Sequence, residues 1–287
     1  MWSSKIQKFN TIKFFQQIHT NPKAILAGLC LLLIIIALPF HSDAGSLKVE
    51  YVAKNIYAIV GELGQRSPTN FGNNATVGLV VTNAGAVLID PGGTYKGSKK
   101  LAALISRITE KPVKIVKYSG GQDHRWLGNS YFKSKGARII ASAAAVADQG
   151  DRVNEQLQCL EHFVGKDGTD GTKAVYADKI FLDSLSFEFG GLKFQLIATG
   201  GAHTPGDTVV WLPEERIAFT GDLVYLERIF AVNNFSDFKN WIHAFEVMAD
   251  LKPKHIVPGH GSPSDIAHAR AETYSYLKNL KERISEV

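Results

Sequence analysis

The feature that most constrains this chain is a repeated plan: a run of short strands closed by a helix, then the same again. Leu47–Val60 alternates as a hairpin turning at Lys54-Asn55, and Ala75–Asp90 forms a second hairpin turning at Asn83-Ala84-Gly85. The polar segment Gly61–Asn74 between them is a loop, either a lid tipped by Phe71 or a plain connection. Lys96–Glu110 carries Leu101, Leu104, Ile105 and Ile108 on one helical face. Val113–Tyr118 and Ala137–Ala141 read as strands, Ser119–Gly128 as a loop, and helical sequence runs on to about Val164. The second block has strands at Ile180–Phe189, Leu192–Ala198, Thr208–Leu212, Arg216–Phe219 and His255–Val257. Its helices are Phe235–Leu251 and Asp265–Glu286. Each sheet must cover its apolar faces, so the expected fold is α/β (α+β). It is a four-layer αββα sandwich, two mixed sheets flanked by helices, spanning residues 45–287 as one domain.

Residues 1–44 carry an address. Ala24–Phe40 is 17 residues without a charge, preceded by Lys5, Lys8, Lys13 and Lys23 and followed by Asp43. That polarity predicts export of the rest of the chain. Ser42-Asp43-Ala44 places small residues where a signal peptidase reads, with cleavage before Gly45. The alternatives are an uncleaved anchor and a buried core helix. The domain is therefore expected in the periplasm, outside the cell, or tethered to the outer face of a membrane through residues 24–40. From Gly45 onward 28 basic residues face 26 acidic ones, a net of +2, which excludes a nucleic-acid footprint. Only Cys159 remains in the exported part, so no intrachain disulfide forms there. Its neighbours Val153, Leu157, Leu160 and Phe163 favour a buried thiol over a reactive one or an intermolecular bridge.

Histidine, aspartate and glycine gather where strands end. Asp123-His124 follows one strand, and His203 sits in a GGAHTPGD loop. Asp222 closes Thr220-Gly221-Asp222, and His260 sits in Pro258-Gly259-His260-Gly261. Several strand ends converging on imidazole and carboxylate ligands describe a metal site on a rigid scaffold. The donors suit Zn²⁺ and also admit Fe or Mn. Each residue alone also reads as a turn, cap or hydrogen-bonded structural side chain.

The order Asp123-His124, His203 in HTPGD, Asp222 in TGD and His260 in PGHG resembles the metallo-β-lactamase fold superfamily, over nearly all of the exported chain. Asp at position 222 is similar to the glyoxalase-II-type hydrolase branch, and exported quinoprotein-associated members have a similar layout. The family's first metal motif reads His-x-His-x-Asp-His, whereas Ser119 and Gly121 stand at its two leading positions here. The resemblance therefore implies a first site reduced to His203 and Asp222, and an intact second site of Asp123, His124, Asp222 and His260. It implies one Zn²⁺ per chain. Asp90, in a LIDPGG segment, would orient a ligand from behind.

Four protein ligands resemble a closed structural site, yet zinc can expand to five-coordinate and lower the pKa of water to ~7. His203 and Asp123 are the expected catalytic groups, with His203 as general base or oxyanion donor. The expected function is exported hydrolysis of a small ester, thioester or amide. The alternative is a non-catalytic, metal-stabilised binding or accessory protein of the cell envelope, and a third reading is an iron site handling oxygen or electrons. Arg125, Tyr225 and Arg228 either read an anionic substrate or, as is usual for Arg and Tyr beside a site, form a solvated face.

Overall fold

A computed structural model describes residues 47–285, which lie within one compact unit. The predicted signal or anchor segment lies outside the described residues. Among the described residues no helix is long and apolar enough to cross a membrane.

The first sheet has seven strands in sequence order: β1 (Lys48–Ala53), β2 (Ile56–Val60), β3 (Val77–Thr82), β4 (Gly85–Ile89), β5 (Val113–Lys117), β6 (Arg138–Ser142) and β7 (Lys179–Phe181). Pairing is antiparallel through β4 and parallel from there to β7. The second sheet runs β12-β11-β10-β9-β8. These are β8 (Ser184–Phe189), β9 (Leu192–Gly200), β10 (Asp207–Leu212), β11 (Ile217–Tyr225) and β12 (His255–His260). Only β11 and β12 pair in parallel there. The helices are α1 (Tyr95–Ile108), α2 (Asp123–Trp126), α3 (Asn129–Ser134), α4 (Ala143–Val164), α5 (Lys166–Thr169), α6 (Phe238–Asp250), α7 (Ile266–Ala269) and α8 (Ser275–Ser285), with a π turn at Arg270–Tyr274 between the last two.

Three buried cores give the layers. Leu79, Leu88, Val116 and Ile139 pack with Leu101, Ile105, Phe132 and Leu160 of the helices outside the first sheet. Val80, Val87 and Ile89 meet Phe194, Leu196, Val210 and Phe219 between the sheets. Trp211, Ala218 and Ile256 meet Trp241, Phe245 and Met248 outside the second sheet. This is the αββα sandwich expected from the two-block pattern, with period-two strands and amphipathic helices each burying their apolar face. Side-chain caps start the longer helices: Thr94 accepts from the Gly97 amide, Ser142 from Ala145 and Asp237 from Asn240.

Several elements differ from expectation. Ile180–Phe189 is not one strand: Leu182 is exposed at the point where the chain leaves the first sheet as β7 and enters the second as β8. The strand expected to stop at Phe219 runs on to Tyr225, because Gly221 at φ +51° absorbs a register shift against β12. The loop after β5 contains the one-turn helix α2, whose four residues are all buried. Cys159 is exposed, not buried. The inward face of α4 is set by Asp148, Gln149, Gln156, Leu160 and Val164, and the apolar spacing around Cys159 lies to one side of it.

Candidate metal centre

The site lies where β4, β5, β11 and β12 end. Parallel pairing of β11 with β12 sets Tyr225 opposite His260, their rings stacked 4.7 Å apart. Thr273, from the π turn, donates to the Tyr225 carbonyl at 2.6 Å and accepts from its amide at 3.1 Å, fixing that strand end from outside. Such turns recur beside functional sites.

Among the described residues, His124, Asp222 and His260 form a buried group whose ligand atoms lie within 4.8 Å of one another. His124 Nε2 is 3.2 Å from Asp222 Oδ2, and His260 Nε2 is 3.2 Å from Asp222 Oδ1. The chemistry of this set fits a cation. His260 Nδ1 lies 2.8 Å from the Asn74 carbonyl, an acceptor only, and 3.2 Å from Arg228 Nη1, a donor only; the shorter contact assigns the ring proton to Nδ1. Burial lowers the His260 pKa to about 3 despite Asp222, so the ring is neutral and Nε2 is a bare lone pair. A bare nitrogen facing a carboxylate oxygen is satisfied by a positive ion between them. His124 Nε2 is buried, faces Asp222 Oδ2 and has no hydrogen-bond partner, which places a second imidazole nitrogen at the same carboxylate.

Asp222 stays ionised. Burial would raise its pKa, but Arg125, then His124, hold it well below the usual carboxylate range. Arg125 is fully buried, with Nε donating to Asp222 Oδ2 at 3.0 Å and Nη2 to Oδ1 at 2.6 Å. Its Nη1 reaches Asp90 Oδ2 at 2.9 Å and the Thr76 carbonyl, and Nη2 also bonds the Gly259 carbonyl. The solvated-face reading of Arg125 and Tyr225 is therefore overturned: both are buried, and only Arg228 is half-exposed. Asp90, at φ +68°, contacts Arg125 and Ser119, and so bears on the ligand Asp222 through Arg125 rather than directly. It accepts from the Ser119 amide at 2.6 Å and from the Ser119 hydroxyl at 2.8 Å.

The remaining expected ligands stand apart from the three-residue group. Asp123 lies on the far side of the His124 ring, its Oδ1 3.1 Å from Nδ1. It is ion-paired with Arg66, whose Nη2 is also 2.7 Å from His124 Nδ1. Arg66, then the His124 contacts, keep Asp123 ionised against its burial. His203 lies beyond Tyr225, ring centroids 5.7 Å apart, with Nε2 3.4 Å from the Tyr225 hydroxyl. Three protein ligands would leave a coordination position on a bound ion open.

The positions matching the first metal motif are filled. Ser119 is tied to Asp90, and a Cβ on Gly221 would sit 1.9 Å from its hydroxyl. A Cβ on Gly121 would meet Asp148 Oδ2 at 2.1 Å, and Asp148 is itself paired with Arg152. Gln156 closes the loop from below, donating to the Gly121 carbonyl and accepting from Trp126 Nε1.

Above the group opens a cleft of about 500 Å³ lined by Arg66, His124, Cys159, His203, Tyr225, Arg228 and His260, among others. Sequence reasoning missed Arg66, Asn74, Asp148 and Gln156. Asn74 and Arg66 sit in a polar loop with no periodicity, and α4 buries its amides where a helical pattern shows only polar residues.

Residues 71–260 match the family model described as the metallo-beta-lactamase superfamily. A metallo-beta-lactamase type 2 of Bacillus cereus is 25% identical over 230 residues, covering 78% of this chain and 80% of that protein. One from Bacteroides fragilis is 33% identical over 109 residues, covering 36% of this chain and 44% of that relative, so less than half its length is matched. The solved metallo-beta-lactamase from Pontibacter korlensis superposes with a TM-score of 0.64 at 22% identity, over 82% of this chain and all of that one. With a family match that spans the strand-end His/Asp set and a shared αββα sandwich, this chain belongs to the metallo-beta-lactamase superfamily.

Proposed function

We propose that this protein is an exported, single-metal hydrolase of a small ester, thioester or amide. The carrying observation is the His124–Asp222–His260 group at the base of an open cleft, with the bare His260 Nε2 turned to Asp222. A divalent ion held by these three residues, zinc by family habit and donor type, supplies Lewis-acid polarisation of a carbonyl and a lowered pKa for water.

The chain's own residues do the rest. Arg125 fixes both oxygens of Asp222, and the Asn74 carbonyl fixes the His260 ring. His203 lines the cleft, and burial lowers its pKa to about 4, so at neutral pH it is an uncharged imidazole available to a bound substrate. Burial, then Asp222, keep the neighbouring Tyr225 hydroxyl protonated as a donor. Arg228, 3.2 Å from His260 Nδ1, gives the rim a positive charge that suits a substrate bearing a carboxylate. Asp123, 3.1 Å from His124 Nδ1, is placed to orient that ring when Arg66 is withdrawn rather than to move a proton. Asp222 supports the likeness to the glyoxalase-II-type branch, and the filled Ser119 and Gly121 positions support a single metal. Export rests on the charge-flanked apolar run, and N-terminal sequencing of the secreted protein should start at Gly45.

The full chain carrying one equivalent of zinc should hydrolyse a generic aryl ester or thioester, and chelation or His260→Ala should abolish turnover. Activity that survives both treatments overturns the reading. The second reading, a metal-stabilised binding protein without turnover, is favoured by the Arg66 contact at the centre. It predicts zinc-dependent thermal stability with no hydrolysis across ester, thioester and amide substrates.

A further inference from the structure

Arg66 reaches the centre from a loop that is built to hold it there. Asn70 accepts from the Ser67 and Gly72 amides and donates to Glu62 and to the Gln65 carbonyl. Asn74 donates to the Gly64 carbonyl at 3.1 Å. The Arg66 side chain is only 9% exposed, ion-paired with Asp123, and its Nη2 is 2.7 Å from His124 Nδ1. Its Nε is buried without a partner, so the reach into the site is not repaid by a full set of hydrogen bonds.

A guanidinium donates and never accepts, so a contact at 2.7 Å makes His124 Nδ1 the acceptor. A neutral imidazole whose Nδ1 accepts carries its proton on Nε2, the nitrogen that faces Asp222. Metal ligation needs the opposite tautomer: Nε2 bare, with Nδ1–H donated to a carboxylate behind the ring. Asp123 Oδ1, 3.1 Å from Nδ1, is that carboxylate, and Arg66 now stands in its way.

We propose that Arg66 and the metal ion compete for His124: with the guanidinium on Nδ1 the site is closed to metal, and loading requires the 61–74 loop to withdraw Arg66. The His124 ring proton then resides on Nδ1, where Asp123 Oδ1 accepts its hydrogen bond and backs the ligand. The coupling is reciprocal, so metal binding expels Arg66 into the cleft mouth as much as Arg66 weakens metal binding. The inference rests on the metal-site reading above and adds the residue that regulates its loading.

The test compares full-length wild type with Arg66→Ala and Arg66→Met in mild detergent, the Met variant keeping the apolar stem. Zinc affinity is measured by competition with a chromophoric chelator, and the His124 ring tautomer of the metal-free protein by ¹⁵N NMR. Both variants should bind zinc about tenfold to a hundredfold more tightly. The His124 proton should move from Nε2 in the wild type to Nδ1 in the variants. Equal or weaker zinc binding by both variants, with the wild-type tautomer unchanged, overturns the proposal while leaving the metal site standing. Failure of all three proteins to bind zinc overturns the metal reading and the proposal together.

Discussion

Arg125 grips Asp222 with a two-pronged fork, Nε on one carboxylate oxygen and Nη2 on the other, while its Nη1 holds Asp90. A buried cation thus sits permanently behind the carboxylate that faces the two histidines. It partly neutralises that carboxylate and fixes the direction of both oxygens. Burial would lower the Arg125 pKa, but Asp222 and then Asp90 outweigh it, so the guanidinium stays charged.

Arg125→Met should therefore destabilise the metal-free protein by ~3–5 kcal/mol, since it strands Asp90 and Asp222 as buried charges. Arg125→Lys should recover only part of the loss, because a point charge cannot reproduce the fork. Urea unfolding of the three proteins checks both expectations.

The first-motif positions are closed by packing as well as by residue type. Gly121→Ala drives a methyl into Asp148 and should cost ~1–3 kcal/mol. Adding Asp148→Ala should return part of that stability, a coupling readable in a double-mutant cycle. Ser119→His combined with Gly121→His should not produce a second bound metal, because the side chains have no room. Two zinc ions per chain in that double variant would contradict this packing account.

Lys117 lies buried beneath the site, its ammonium bonded to the Tyr118 carbonyl and close to the Phe181 ring. Burial lowers its pKa from 10.5 to about 7, only partly countered by Asp90 and Asp207. Unfolded chains bind more protons than folded ones between pH 7 and 10.5, so this group makes stability rise with pH across that window. Below pH 7 the charged form carries the full penalty. Lys117→Met should thus be more stable than wild type at pH 6.5, with the advantage shrinking by pH 9.5. An advantage constant with pH would place the Lys117 effect in packing rather than ionisation.

The legible part of the fold is the part that period and spacing encode. Alternating strands and the α1 face predicted the layers, because burial of one face imposes those periods directly. His124, Asp222 and His260 were visible because strand-end loops deliver ligands at fixed places in the order of the fold. Arg125 was not, since α2 buries four consecutive residues and leaves no period to detect. Cys159 was misplaced for the converse reason: the buried face of α4 is partly polar, with Gln156 and Asp148 serving the loop of Gly121. Arg66 acts across 57 residues of sequence through a loop whose shape depends on Asn70 and Asn74, and no local pattern carries that contact.

The central claim is that one metal position survives in a centre whose other half is packed shut. Metal atoms per chain, counted by elemental analysis of the zinc-equilibrated full-length protein, test it most directly. The account predicts one zinc per chain, reduced to none by His260→Ala. Two zinc ions per chain, or one that persists in His260→Ala, would contradict it.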